Sequence, residues 1–107
     1  MLTPTEILAY EQTCGAAAAA DLMILGGPDH FDGDYSTTLI CLEQIATDAR
    51  DLERANKSRE YAESQTWKAM HSYRAGMHIG RMERCRQTLK ALALGYEDRV
   101  KEGLHYV

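Results

Sequence analysis

The chain is poor in residues that interrupt regular structure. It has two prolines and eight glycines in 107 residues, and none of either between Asp34 and Gly76. Aromatics are few, six Tyr with one Trp and one Phe, which fits helices better than a β-sandwich. Long apolar runs are absent too. Nothing approaches the ~18 residues of a membrane span. The richest run, Ala16 to Leu25, is interrupted by Asp21 and preceded by Glu6 and Glu11 where a secretory leader carries cations. The expected location is therefore cytoplasmic, with no membrane association.

Cysteines are three, Cys14, Cys41 and Cys85, with no CxxC pair. That suggests neither a zinc ribbon nor a disulfide framework, and the three read as small buried hydrophobes. Cys85 stands between Arg84 and Arg86, which favours a thiolate, but it falls in line with Met82 and Leu89. No glycine-rich phosphate loop or Ser/His/Asp order is present. His30, His71, His78 and His105 include no i,i+4 pair, and His71 and His78 stand about 10.5 Å apart along a helix axis. The acidic loop from Asp29 to Asp34 resembles a calcium loop, but setting Gly33 at the sharp turn puts Pro28 and Leu39 at ligand positions. Glu60 and Glu63 resemble the magnesium carboxylates of helical nucleotide pyrophosphohydrolases, without the second acidic pair that chemistry needs. The expectation is no enzyme, no metal and no cofactor.

What the chain does have is helical periodicity. Thr3-Pro4-Thr5-Glu6 is a capping-box start with proline at the first position, and Gly26-Gly27-Pro28 is a stop, so the first helix is expected from there to about Leu25. Gly15 and the alanines 16–20 let another backbone approach it closely. Asp34 or Ser36 caps the next helix. Leu42, Ile45, Ala49, Leu52, Asn56, Arg59, Glu63, Thr66, Met70, Tyr73 and Met77 keep one heptad register, which predicts a single helix from Ser36 to Met77. Its middle is polar, and Ser58 is the place where it would break. Past Gly76 the apolar direction turns by about 100°, to Met82, Cys85, Leu89, Leu92, Tyr96 and Val100. This predicts a hairpin turn at Gly76 to Gly80, or a kink, and a last helix from Arg81 to Glu102 with a loose tail after it. The fold class is all-α, a single domain over residues 1–107. Its three-helix arrangement packs an N-terminal and a C-terminal helix on one long central coiled-coil-like helix. The thin core, with Ile24, Leu94, Leu104, Tyr106 and Val107 left over, predicts a homodimer or larger.

Charge is divided. Residues 1–53 carry −9 and residues 54–107 carry +5, within a net charge of −4. Asp29, Asp32, Asp34, Glu43, Asp48, Asp51 and Glu53 form a candidate acidic face for a host protein, with spacing that suggests a mimic of a nucleic-acid backbone. Lys68, Tyr73, Arg74, Arg81, Arg84 and Arg86 form the alternative, a nucleotide or nucleic-acid site with cations for phosphate and rings for stacking.

Tyr73-Arg74-Ala75-Gly76, followed by Gly80 and Glu83 ahead of a Leu- and Ala-rich helix, resembles a pattern of small helical phage and prophage proteins. The likeness covers about 20 of the 107 residues. It implies a continuous helix through Gly76 and Gly80. It also implies an accessory or counter-defence protein of the anti-CRISPR kind, an inhibitor that works by binding and carries no catalytic residues.

Overall fold

The computed structural model describes the backbone of residues 1–105 and the side chains of residues 1–103. These form four α-helices and a short 3₁₀ turn: α1 (Pro4–Cys14), α2 (Ala16–Gly26), the turn Pro28–His30, α3 (Tyr35–Tyr61) and α4 (Gln65–His105). The all-α expectation holds. The three-helix arrangement does not, because the chain breaks at two places where it was expected to run on.

The first break is Gly15. Its φ of 94° and ψ of 160° take the backbone out of the helix, and its amide closes α1 on the carbonyl of Glu11 at 2.9 Å. A β-carbon disfavours that conformation, so the glycine is a joint between α1 and α2. At the start, half of the capping box forms, with the amide of Glu6 donating to the Thr3 hydroxyl at 3.2 Å.

The second break replaces the expected 36–77 helix. The chain reverses over Ala62 to Ser64, between α3 and α4. Ala62 is extended, and Ser64 caps α4 by accepting from the amide of Trp67 at 3.2 Å. No glycine or proline marks the reversal. Packing drives it, since a continuous rod would leave the seams of both helices in water, and α3 against α4 is the most extensive contact in the molecule. The expected turn at Gly76 to Gly80 is also corrected. Both glycines lie inside α4, with open space where a side chain would stand.

The α3 start follows the sequence. Asp34 accepts from the Thr37 amide at 3.0 Å and from its hydroxyl at 2.9 Å. These bonds hold the Asp34 carboxyl below the usual carboxylate range. Beside it, an isolated parallel bridge ties Leu2 to Phe31, and Gly33 lies so close to the Pro4 ring that a β-carbon there would collide with it.

α1 packs on α4 and α2 on α3, which makes a four-helix head. The main core is built of Ile7, Ala19, Met23, Leu42, Ile45, Met82, Leu89 and their neighbours. It takes no residue from 53 to 81. There the α3–α4 hairpin projects as a two-helix arm whose buried apolar residues are Ala55 and Ala75, and the molecule measures 66 × 26 × 20 Å. Among the described residues, no helix is long and apolar enough to cross a membrane.

Cys41 and Cys85 meet on the α3–α4 seam. Burial, with Cys85 beside it, pushes the Cys41 thiol up to about 11. Cys14 is exposed, against the expectation of a buried hydrophobe, because it ends α1 at the Gly15 joint. Of the leftover apolar residues, Ile24 and Leu94 are exposed, while Leu104, Tyr106 and Val107 fall outside the residues with described side chains.

Candidate functional site

α4 turns a regular 3–4 seam inward, onto α3 over most of its length and onto α1 and the loop before α3 near Tyr96. Its half-buried or buried members are Lys68, His71, Ala75, His78, Met82, Cys85, Leu89, Leu92 and Tyr96. The lower half of this seam is polar, and so is the α3 side opposite. Asp48 falls on the α3 seam between Ile45 and Leu52, completely buried. A charge there must be paired.

Three side chains meet it. Gln44, one turn back on α3, donates its amide to Asp48 Oδ2 at 2.8 Å. Arg81 Nη2 donates to Oδ1 at 2.7 Å, and His78 Nδ1 lies 2.8 Å from the same oxygen. Burial would by itself raise the Asp48 pKa. The bonds from Gln44, His78 and Arg81, together with the Arg81 charge, outweigh it, and the carboxyl is held below its ordinary value. Asp51, one turn on from Asp48, stands close enough for its carboxylate, the Asp48 carboxylate and the His78 ring to lie within 4.8 Å of one another. Beyond them a small cleft of about 180 Å³ opens between the helices of the arm, lined by Asp51, Arg54, Ser58, His71, Arg74 and His78.

The cluster has an acid–base pair without a nucleophile. Ser58 lines the same cleft but lies ten residues beyond Asp48, about 15 Å along the axis. A Ser/His/Asp relay through Asp48 and His78 cannot form at that distance. A larger groove of about 660 Å³ lies at the Gly15 joint, floored by Gly15, Ala16 and Ala46. Its buried Glu11 is met by Arg86 Nε at 3.6 Å.

No protein-family model matches this chain, and no curated protein or solved structure is significantly similar to it.

The candidate acidic face is scattered. Asp29 lies in the 3₁₀ turn, Asp32 in the following loop and Asp34 at the α3 cap, while Glu43 is exposed on α3. Asp48 is a correction, since its burial removes it from any surface. Asp51 and Glu53 are two residues apart on α3, so they diverge by about 200°. Arg54 approaches Asp51 at 4.0 Å, and Lys57 pairs with Glu53 at 3.2 Å.

The candidate basic set divides as well. Tyr73, Arg74, Arg81 and Arg84 fall within about 100° of arc on α4, while Arg86 points to the other flank and half-buried Lys68 lies on the inward seam. Arg81 is engaged by Asp48 and Arg86 by Glu11. Met70 and Met77 lie in the same arc as Tyr73 and Arg74. They were expected to face inward but are 39% and 45% exposed, and Tyr73 is 71% exposed. Trp67, stacked on His71 with ring centres 6.1 Å apart, stands at the edge of this flank.

Periodicity alone missed the Asp48 cluster. The legible signal was the i,i+3 pair Asp48 and Asp51 on a helix whose neighbours Ile45 and Leu52 are core residues. Its partners on α4 became visible only with the hairpin register.

Proposed function

We propose that the protein is a non-enzymatic helical binding protein that acts by laying its α3–α4 arm on the surface of another protein. One observation carries this reading. Met70, Tyr73 and Met77 share one flank of α4 and are 39%, 71% and 45% exposed there. A stripe of this kind, methionine and tyrosine flanked by Arg74 and Arg84, suits an apolar surface bordered by carboxylates. The phage-like pattern around Tyr73 to Glu83 adds a context: a host protein inhibited by occupation of its surface. Mimicry of nucleic acid by an acidic face is the weaker form of the idea, because burial of Asp48 and the divergence of Asp51 and Glu53 interrupt the row of charges.

The test is a photoreactive phenylalanine analogue placed at Tyr73 in cells, with the same analogue at the exposed Leu25 of α2 as the control. A discrete adduct from position 73 that disappears on Arg74→Glu with Arg84→Glu is the expected result. The same adduct from position 25, or none from position 73, overturns the reading. An adduct of twice the chain mass identifies a second copy as the occupant instead, as a homo-oligomer requires.

A second reading, nucleotide or nucleic-acid binding, rests on Tyr73, Arg74 and Arg84 sharing one flank. Titration with oligonucleotides decides it: binding that weakens steeply with salt and on Arg84→Ala supports it, and a flat titration removes it.

A further inference from the structure

Arg81 Nη2, Asp48 Oδ1 and His78 Nδ1 form a closed triangle. Its edges are 2.7 Å from Arg81 to Asp48, 2.8 Å from Asp48 to His78 and 3.0 Å from Arg81 to His78. Hydrogen bonds cannot satisfy all three. If Nδ1 carries a proton, it serves Asp48 and confronts the guanidinium as donor against donor. If it carries none, it accepts from Arg81 and sets a lone pair against the carboxylate oxygen. Arg81 Nε is buried beside this triangle without a partner.

A small dication in the same place relieves the conflict, because Oδ1 and a neutral Nδ1 both turn lone pairs toward it. The third donor is already present. Asp51, Asp48 and His78 each offer an atom within 4.8 Å of the other two. Gln44 holds Asp48 Oδ2 at 2.8 Å, which is how an outer hydrogen bond orients a ligating carboxylate. Two carboxylates and an imidazole form a mixed oxygen and nitrogen set suited to Zn²⁺, Co²⁺ or Mn²⁺ more than to Ca²⁺ or Mg²⁺. The Arg81 side chain is 39% exposed, so it has a path to solvent.

We infer that Asp48, Asp51 and His78 form a site for a divalent first-row transition metal, and that Arg81 holds the place of that cation until the metal displaces it. The remaining coordination positions open toward the cleft beside His71 and Arg74. The metal joins α3 to α4 where the arm leaves the head, so its binding stiffens the base of the arm.

The untagged full chain, stripped with chelator, is titrated with Zn²⁺ by calorimetry and with Co²⁺ by visible absorption. One equivalent should bind, with ligand-field bands for Co²⁺. Asp51→Asn is the decisive variant. Asp51 is half-buried and its nearest cation is 4.0 Å away, so the fold survives the change while Zn²⁺ affinity falls at least tenfold. Arg81→Met removes the resident cation and should tighten Zn²⁺ at least tenfold, with a larger metal-dependent rise in Tm than in the natural chain. If Arg81→Met folds only with Zn²⁺, the inference stands. Absence of binding by the natural chain, or unchanged affinity in Asp51→Asn, overturns it and leaves metal binding at exposed side chains such as His30 and Cys14 as the explanation of any residual signal.

Discussion

Arg81 reaches Asp48 across 33 residues of sequence, with Nη2 2.7 Å from Oδ1 of a carboxylate that has no exposed surface. This contact fixes the register of α3 against α4 where the apolar core gives way to the polar arm. A slide of one residue would bury the carboxylate unpaired.

Stability should therefore fall in acid through Asp48. Its folded pKa lies below the ordinary value of an unfolded chain. The contribution is complete above that unfolded value and is lost as pH falls through the lower folded one. Asp48→Asn should cost about 2 kcal/mol near neutrality, at the modest end because Arg81 can reach water. Urea midpoints measured from pH 2 to pH 7 should show a flatter acid limb in the variant. An unchanged limb would place the acid sensitivity elsewhere.

Gly76→Ala and Gly80→Ala test whether α4 is continuous. Both positions have open space around the missing side chain and lie inside the helix. Each substitution should stabilise by about 1 kcal/mol, and the two effects should add. A turn at these glycines would make the same changes destabilising.

Thiol chemistry should separate Cys14 from Cys41. Cys14 is exposed, whereas Cys41 is buried with its pKa raised to about 11. Iodoacetamide at pH 7.5 should modify Cys14 in the native chain and reach Cys41 only on unfolding. Rapid native labelling of Cys41 would contradict the packing of α3 on α4.

The head and the arm should differ in cooperativity. Ile45→Ala removes a fully buried side chain from the main core and should cost about 3 kcal/mol by urea denaturation. Met70→Ser and Met77→Ser should each cost less than about 1 kcal/mol, because both side chains lie outside the main core and stay partly in water. Hydrogen exchange should open residues 53–77 at lower free energy than residues 38–46.

Helix content and much of the core were legible in the sequence. Leu42, Ile45, Met82, Cys85 and Leu89 were expected inward and are buried or half-buried, because strong apolar periodicity and packing agree there. The Thr3 and Asp34 caps were legible because short polar side chains at helix starts have a local cause. The reversal at Ala62 to Ser64 was not. It has no local breaker, only a serine cap that tertiary packing selects. Gly76 and Gly80 misled in the opposite sense, as flexible residues that α4 absorbs. The error in the turn carried the error in the site. With α4 begun at Arg81, Met70, Tyr73 and Met77 read as core and Asp48 as surface, whereas the true register exchanges those roles.

The distance between residues 53 and 74 tests the hairpin most directly. Spin labels at Glu53→Cys and Arg74→Cys, with Cys14 and Cys85 replaced by serine, report it by pulsed electron resonance. Antiparallel packing at an interaxial spacing of about 10 Å predicts a narrow distribution below about 25 Å with the label arms included. A single helix through both positions would separate their backbones by about 32 Å, and a distribution centred there would contradict the arm, the Asp48–Arg81 contact and the docking stripe together.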